Sequence, residues 1–268
     1  MPKSSRLMTG VTPAARERSL LRSDLKSAVR GNNEAFGQLV SHYLDFAAES
    51  LFMLGWCDDE ERTQILLSVF SSLWRSLRFI KRLSDFERAL VVQLQALSEN
   101  RPQKSCGRRK MKSLNNEFKL LLVAHEMERW SMHSLRLAFR ARTHEIRQHL
   151  LEFRAQLLKI DLGDLDPPTR ELLERVNLSL DSDFSNRRRK NLIHAVAQSP
   201  VAKQFKAGWL LYRGEMVELR HQMRSTEEER ALFMEKLLTE VSQEPMEKPT
   251  LADRIVNRVT FTRFPKPA

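Results

Sequence analysis

The residues best equipped for chemistry form one cationic block: Arg142, Thr143, His144, Arg147 and Gln148, with Arg154 two turns further on. Arg and Gln suit bidentate contacts with G and A in the major groove, each contributing ~1–3 kcal/mol of base discrimination. They read DNA only if a helix carries them into the groove, and the flanking pattern supplies one. Ile146, Leu150, Phe153 and Leu157 recur at i, i+4, i+7 and i+11, the buried stripe of an amphipathic helix. That register leaves the polar block and Arg154 facing outward. Thr143 is placed to cap this helix, which is expected to run to about Ile160. Upstream, Ser131 is placed to cap a shorter helix through Phe139, with a turn at residues 140–142. Helices of roughly nine and sixteen residues around a turn of ~3–4 residues have the helix-turn-helix form, whose second helix enters the major groove. The same spacing also fits an ordinary helical hairpin with a solvated basic face. Before this pair, residues 117–128 read as one mostly apolar helix.

Other chemistries find little to rest on. His125 and Glu126 begin like a zinc-binding HExxH, but Arg129 stands where the second His is required. There is no Gly-rich phosphate loop and no Ser/His/Asp or Cys/His grouping. No catalytic residue, metal or cofactor is expected, and the chain does not read as an enzyme.

Composition sets the class of partner. With eight Gly and two Tyr in 268 residues, the chain has a helical composition. Its net charge of +11 and pI near 10.0 favour a polyanionic partner. Residues 101–160 hold 14 Lys/Arg against 5 Asp/Glu, which concentrates the excess beside the helical pair. Mean hydropathy is −0.45, and no apolar run approaches the ~18–20 residues of a membrane span, so no membrane partner is expected. Cys57 and Cys106 read as lone thiols of a reducing, cytoplasmic protein.

Residues 1–30 read as a basic mobile arm, with a transit peptide as the alternative and a short helix at residues 19–29. Phe36, Leu39, Val40, Tyr43, Ala47, Leu51 and Leu54 then keep a helical period up to Gly55, a suitable C-cap. A second helix carries Ile65, Leu66, Val69, Phe70, Leu73, Trp74, Leu77 and Ile80 after an acidic start at residues 58–61. A basic loop leads to a third, through Phe86, Leu90, Val91, Leu94 and Leu97.

Three stretches here carry a family resemblance: GNNEAFGQLVSHYLDF (residues 31–46), VFSSLW (69–74) and DFERALVVQLQALSEN (85–100). They resemble region 2 of the extracytoplasmic-function sigma factors, which carry core RNA polymerase to promoters. Residues 130–154 resemble region 4 of the same family without gaps, with Ser131, Leu135, Phe139, Ile146, Arg147, Leu150 and Arg154 in matching positions. The resemblance implies core RNA polymerase and promoter DNA as partners, with a separate regulator as a further candidate. It puts Arg142, Thr143, His144, Arg147 and Gln148 in the major groove of the upstream element. Arg136, Arg140 and Arg154 would hold phosphates. It gives Arg75, Arg78, Lys81, Arg82 and Arg88 to melting and holding the downstream element, and Gln64, Leu67 and Ser68 to the polymerase clamp.

The chain also departs from the family. Gln64, Leu67 and Ser68 lie where the clamp contact usually has an acidic residue and Gln. Arg136 and Arg140 replace a small Ala and the turn's Gly. Glu145 occupies the usual place of the capping Thr.

Residues 101–113 form a basic linker. After an acidic boundary, DLGDLDPP (161–168), helices are expected near 169–178, 185–198, 200–223 and 226–242, with Pro200 at a first helical position and a capping box at Thr226. Residues 180–205 resemble an anti-sigma domain whose zinc positions hold Ala195, Ser199 and Ala202, none a ligand; an unrelated helical extension fits equally. The expected fold class is therefore all-α. Two small helical domains (31–100 and 114–160) flank the linker, followed by a helical regulatory extension (161–243) and a tail (244–268).

Overall fold

Capping residues set the helix boundaries. Asn32 ends a turn through Gly31 (φ 95°), and its side chain accepts the N–H of Ala35 at 2.9 Å. Those contacts separate α1 (Pro13–Val29) from α2 (Asn33–Leu54). Gly55, left-handed at φ 110°, closes α2, and Asp58 caps α3 (Asp59–Ser76) through the N–H of Glu61. A 3-10 turn (Leu77–Phe79) leads to α4 (Leu83–Glu99). Then come α5 (Asn116–Leu122), a π turn (Val123–Met127), α6 (Met132–Ala138), α7 (Thr143–Leu157), α8 (Pro167–Leu180), α9 (Asn186–Gln198), α10 (Pro200–Met223) and α11 (Glu227–Gln243). This computed structural model describes residues 13–99, 114–181, 186–244 and 246. Among them no strand occurs, and the fold is all-α. No described helix is long and apolar enough to cross a membrane. The linker, the first twelve residues, Cys106 and the tail after Met246 lie outside the described residues.

One core runs through both matched segments. Phe36, Phe46, Phe70, Leu73, Phe86 and Leu90 from α2–α4 join Leu120, Leu135, Ile146, Leu150 and Phe153 from α5–α7 in a single buried cluster. Trp130 fastens the junction, its ring 4.5 Å from Phe46 and 6.0 Å from Tyr43. The segments 31–100 and 114–160 thus do not have separate cores. A smaller cluster joins Leu151 and Ala155 of α7 to Leu173, Val176, Leu192, Val196, Ala202 and Phe205. The C-terminal helices return to the first segment as well: α11 lies on α2 and α3. There Phe233 meets Phe70, and Met234 and Leu238 approach Gly37. Trp74 Nε1 donates to the carbonyl of Glu244 at 3.0 Å.

Four expectations change. Residues 13–29 are no mobile arm, because Leu21, Leu25 and Ala28 bury α1 against α2. Residues 117–128 are not one α-helix: the π turn widens the end, and Arg129 leaves it at φ 56°. A widened turn suits a segment buried on all sides, from Lys119 to Met127. Thr143 does not cap α7; Glu145 folds back to accept the Arg142 N–H at 2.6 Å, which puts Thr143 at the first helical position. Cys57 is disulfide-bonded rather than a lone thiol, which removes the argument for a reducing compartment.

The turn after α6 keeps its course without glycine. Arg140 adopts φ 52°, and the N–H of Ala141 reaches the Arg136 carbonyl at 3.1 Å, a left-handed helix end normally made by Gly. A side chain in that conformation costs about 1–2 kcal/mol. Arg140→Gly should therefore raise stability by about 1 kcal/mol in urea denaturation; unchanged or lower stability contradicts a strained turn.

Candidate nucleic-acid interface and the charge cluster behind it

The α6–turn–α7 unit presents its cations unevenly. Arg142 and His144 are exposed at the start of α7, whereas Thr143, Arg147 and Gln148 are half-buried. Gln148 Nε2 donates to Glu152 at 2.9 Å. On the other side lies α8, whose Asn177 donates to the Arg147 carbonyl at 3.2 Å. A cleft of about 470 Å³ separates the two helices, lined by His144, Arg147, Gln148, Leu151, Glu174 and Asn177 among others. The first turn of α7 is the end that a recognition helix offers to base edges, and in this conformation α8 flanks it.

The remaining predicted residues divide by location. Arg75, Arg78, Lys81 and Arg82 are exposed around the end of α3 and the 3-10 turn, with Arg75 3.7 Å from the Glu244 carboxylate. Gln64 and Ser68 are exposed on α3 and Leu67 is half-buried. Arg136 is exposed on α6. Arg88 is half-buried and donates from Nε and Nη2 to the Leu137 carbonyl, both at 3.3 Å. Burial and the charge of Arg140 lower its pKa. The structure thus gathers Arg88, Arg136 and Arg140, expected on two domains, along the α4–α6 contact.

Arg154 is not a phosphate contact. It is fully buried and enclosed by three other elements. Its Nη2 pairs with Glu126 of the π turn, and with Asp181 at 2.7 Å after α8. Its Nη1 bonds Asn177 of α8, and Trp209 of α10 lies under the guanidinium at 5.0 Å. Arg213 adds a second cation to Glu126 at 2.8 Å, and His125 Nδ1 lies 2.9 Å from the same carboxylate. Burial alone raises the pKa of Glu126, but Arg154, His125 and Arg213 overcome it and hold the carboxyl far below the usual range. Burial likewise opposes the charge on Arg154, and Glu126 and Asp181 restore it. His125, Glu126 and Asp181 place ligand atoms within 4.8 Å of one another, yet the two guanidinium groups already supply the positive charge that this set takes. The sequence contained the clue: Arg154 stands four residues beyond Leu150 and eight beyond Ile146, on the buried row.

A second charge cluster, also not foreseen, joins α10 and α11 to α2. Arg220 pairs with Glu49 at 3.0 Å and with Glu128, and Arg224 and Arg230 meet Asp45. Burial first, then the neighbouring Glu128, pushes Glu49 up to about 8. No family model, curated protein or solved structure matches the chain.

Arg154→Met keeps the volume but strands Glu126 without its principal cation, so stability should fall by about 3–5 kcal/mol in urea denaturation. A loss below about 1 kcal/mol is what an exposed pair would give. Glu49 holds its proton in the folded chain over a range where the unfolded chain has released it. Its contribution to stability should therefore decline as pH rises from about 4.5 to about 8. Glu49→Gln should flatten the fall in melting temperature between these pH values; an unchanged profile counts against the assignment.

Proposed function

We propose that the chain is a sigma-type transcription initiation factor, acting in the cytoplasm with core RNA polymerase, whose own C-terminal helices hold it closed. The observation that carries the reading is the α6–turn–α7 unit. A Ser131-capped helix and a left-handed turn precede a second helix with Arg142 and His144 exposed at its start. The ordered resemblance of residues 31–100 and 130–154 to the two conserved sigma regions adds polymerase to promoter DNA as a partner. In this reading Arg142, Thr143, His144, Arg147 and Gln148 enter the major groove. Arg136 and Arg140 hold phosphates, and Arg75, Arg78, Lys81, Arg82 and Arg88 hold the downstream element. Gln64, Leu67 and Ser68 meet the polymerase clamp. The closed state is favoured by α8 beside α7 and by α11 on α3. Polymerase shifts the population toward an open form only by binding that form more tightly.

One observation favours a second reading, a sigma-like adaptor that binds polymerase or another protein without choosing promoters. The two matched segments share one core through Trp130, so their separation breaks apolar packing. Promoter-specific run-off transcription with purified core polymerase discriminates the two. A sigma factor yields a discrete transcript that Arg147→Ala/Gln148→Ala abolishes while polymerase binding persists. Arg230→Glu, which sets a like charge against Asp45, should raise transcript yield several-fold. A chain that co-purifies with polymerase but never directs specific initiation is the adaptor, and the sigma reading then fails.

A further inference from the structure

We propose that the seam between α4 and α6, continued along α1, binds the phosphodiester backbone of duplex DNA without polymerase and without regard to base sequence. The proposal does not rest on the promoter reading. It begins with Arg18, whose Nη1 donates to Ser134 Oγ of α6 at 2.5 Å while Nη2 pairs with Glu87 of α4 at 3.3 Å. That residue fastens the N-terminal helix to the seam where Arg88 and Arg140 lie together. Burial first and then the charge of Arg140 lower the Arg88 pKa, with Asp85 opposing them, so the two guanidinium groups lie near enough to act on each other. Arg136 stands exposed beside them on α6.

From this seam the positive charge runs outward. Arg18, Arg22, Lys26 and Arg30 recur every four residues, which sets them in one row on α1. The inward positions belong to Leu21, Leu25 and Ala28, and Arg22, Lys26 and Arg30 are exposed. The same helix touches the 3-10 turn that carries Arg78 and leads into Lys81 and Arg82.

Three nearby carboxylates are already engaged, and Asp24 is the one acid on α1 between Arg22 and Lys26. Glu87 is buried and accepts from Tyr43 as well as Arg18. Asp85 accepts the backbone N–H of Arg82. Glu17 turns to His42 of α2.

The spacing fits a nucleic-acid backbone better than a compact anion. Four residues of helix rise ~6 Å, and each DNA strand carries a charge every ~3.4 Å. That ~3.4 Å is rise along the duplex axis, and the four cations extend over about 18 Å of α1, a length that spans several phosphates and exceeds a compact anion. The residues that the sigma resemblance divides between two promoter elements converge here on one short stretch of backbone.

The test is anisotropy of the full chain with a fluorescein-labelled duplex of random sequence, no polymerase present, across about 50–200 mM salt. Log affinity should fall linearly with log salt concentration. Arg22→Gln/Lys26→Gln/Arg30→Gln should lower affinity about tenfold at low salt and reduce the slope by about 2–3. Arg88→Gln/Arg140→Gln should reduce the slope by about 2. Lys203→Gln, on the exposed face of α10, should leave both unchanged. Should the seam variant lose its fold, the surface variant of α1 decides alone. Wild-type binding by the α1 variant, salt-independent binding, or tighter binding of single-stranded RNA than of the duplex overturns the proposal. None of these outcomes touches promoter run-off, so this inference and the sigma reading fail separately.

Discussion

A guanidinium with no access to water ties the first half of this molecule to the second. An isolated buried charge costs many kcal/mol, and only close counter-charges and hydrogen bonds offset that cost. Arg154 receives Glu126 from the π turn, Asn177 and Asp181 from the end of α8, and the Trp209 ring from α10. None of these elements satisfies it alone. The π turn aims Glu126 inward, α8 crosses α7 to deliver Asn177 and Asp181, and Arg213 of α10 balances the second carboxylate oxygen. The route of the chain after residue 160 is thereby linked to a charge that sits within the helix-turn-helix unit.

That constraint explains how the candidate interface is presented. Helix α7 is buried along two faces, Ile146 and Phe153 in the main core and Leu151 and Ala155 in the smaller one. What remains accessible is its first turn and a narrow polar strip. The second charge cluster, around Asp45, Glu49 and Glu128, holds α10 and α11 on α2 by the same physical means. Its balance differs: burial and Glu128 push Glu49 up, whereas Arg154, His125 and Arg213 hold Glu126 down. The two clusters therefore respond to pH in opposite senses. Glu126 supports the fold once ionised, whereas Glu49 opposes it once ionised.

Much of the fold was legible because local signals agreed with tertiary demands. Gly55, Asp58, Ser131 and the Thr226 capping box act at the helix ends where their chemistry places them. The apolar stripes of α2, α3, α4 and α7 are the buried faces. The misses have a common cause in partners distant in sequence. Arg154 looked like an outward cation because its counter-charges lie 27 and 28 residues away. Residues 13–29 looked like a loose basic arm because their three inward apolar side chains are interleaved with Arg and Lys. Arg140 looked incompatible with a tight turn, yet it takes the left-handed conformation itself. Of the candidate site, residue types and helix register could be read; their convergence along the α4–α6 contact could not, since it depends on how the two segments pack.

Through the buried Arg154 cluster, α6, α7 and the C-terminal helices should open as one cooperative unit. Native-state hydrogen exchange tests this directly, because it resolves the opening free energy of each helix. The slowest amides of α7, α8 and α10 should share one opening free energy in the wild-type chain, and all three should fall together in an Arg154 variant. If α8 and α10 instead open at much lower cost while α7 stays protected, the C-terminal helices are a peripheral addition, and the buried cluster does not hold the molecule together.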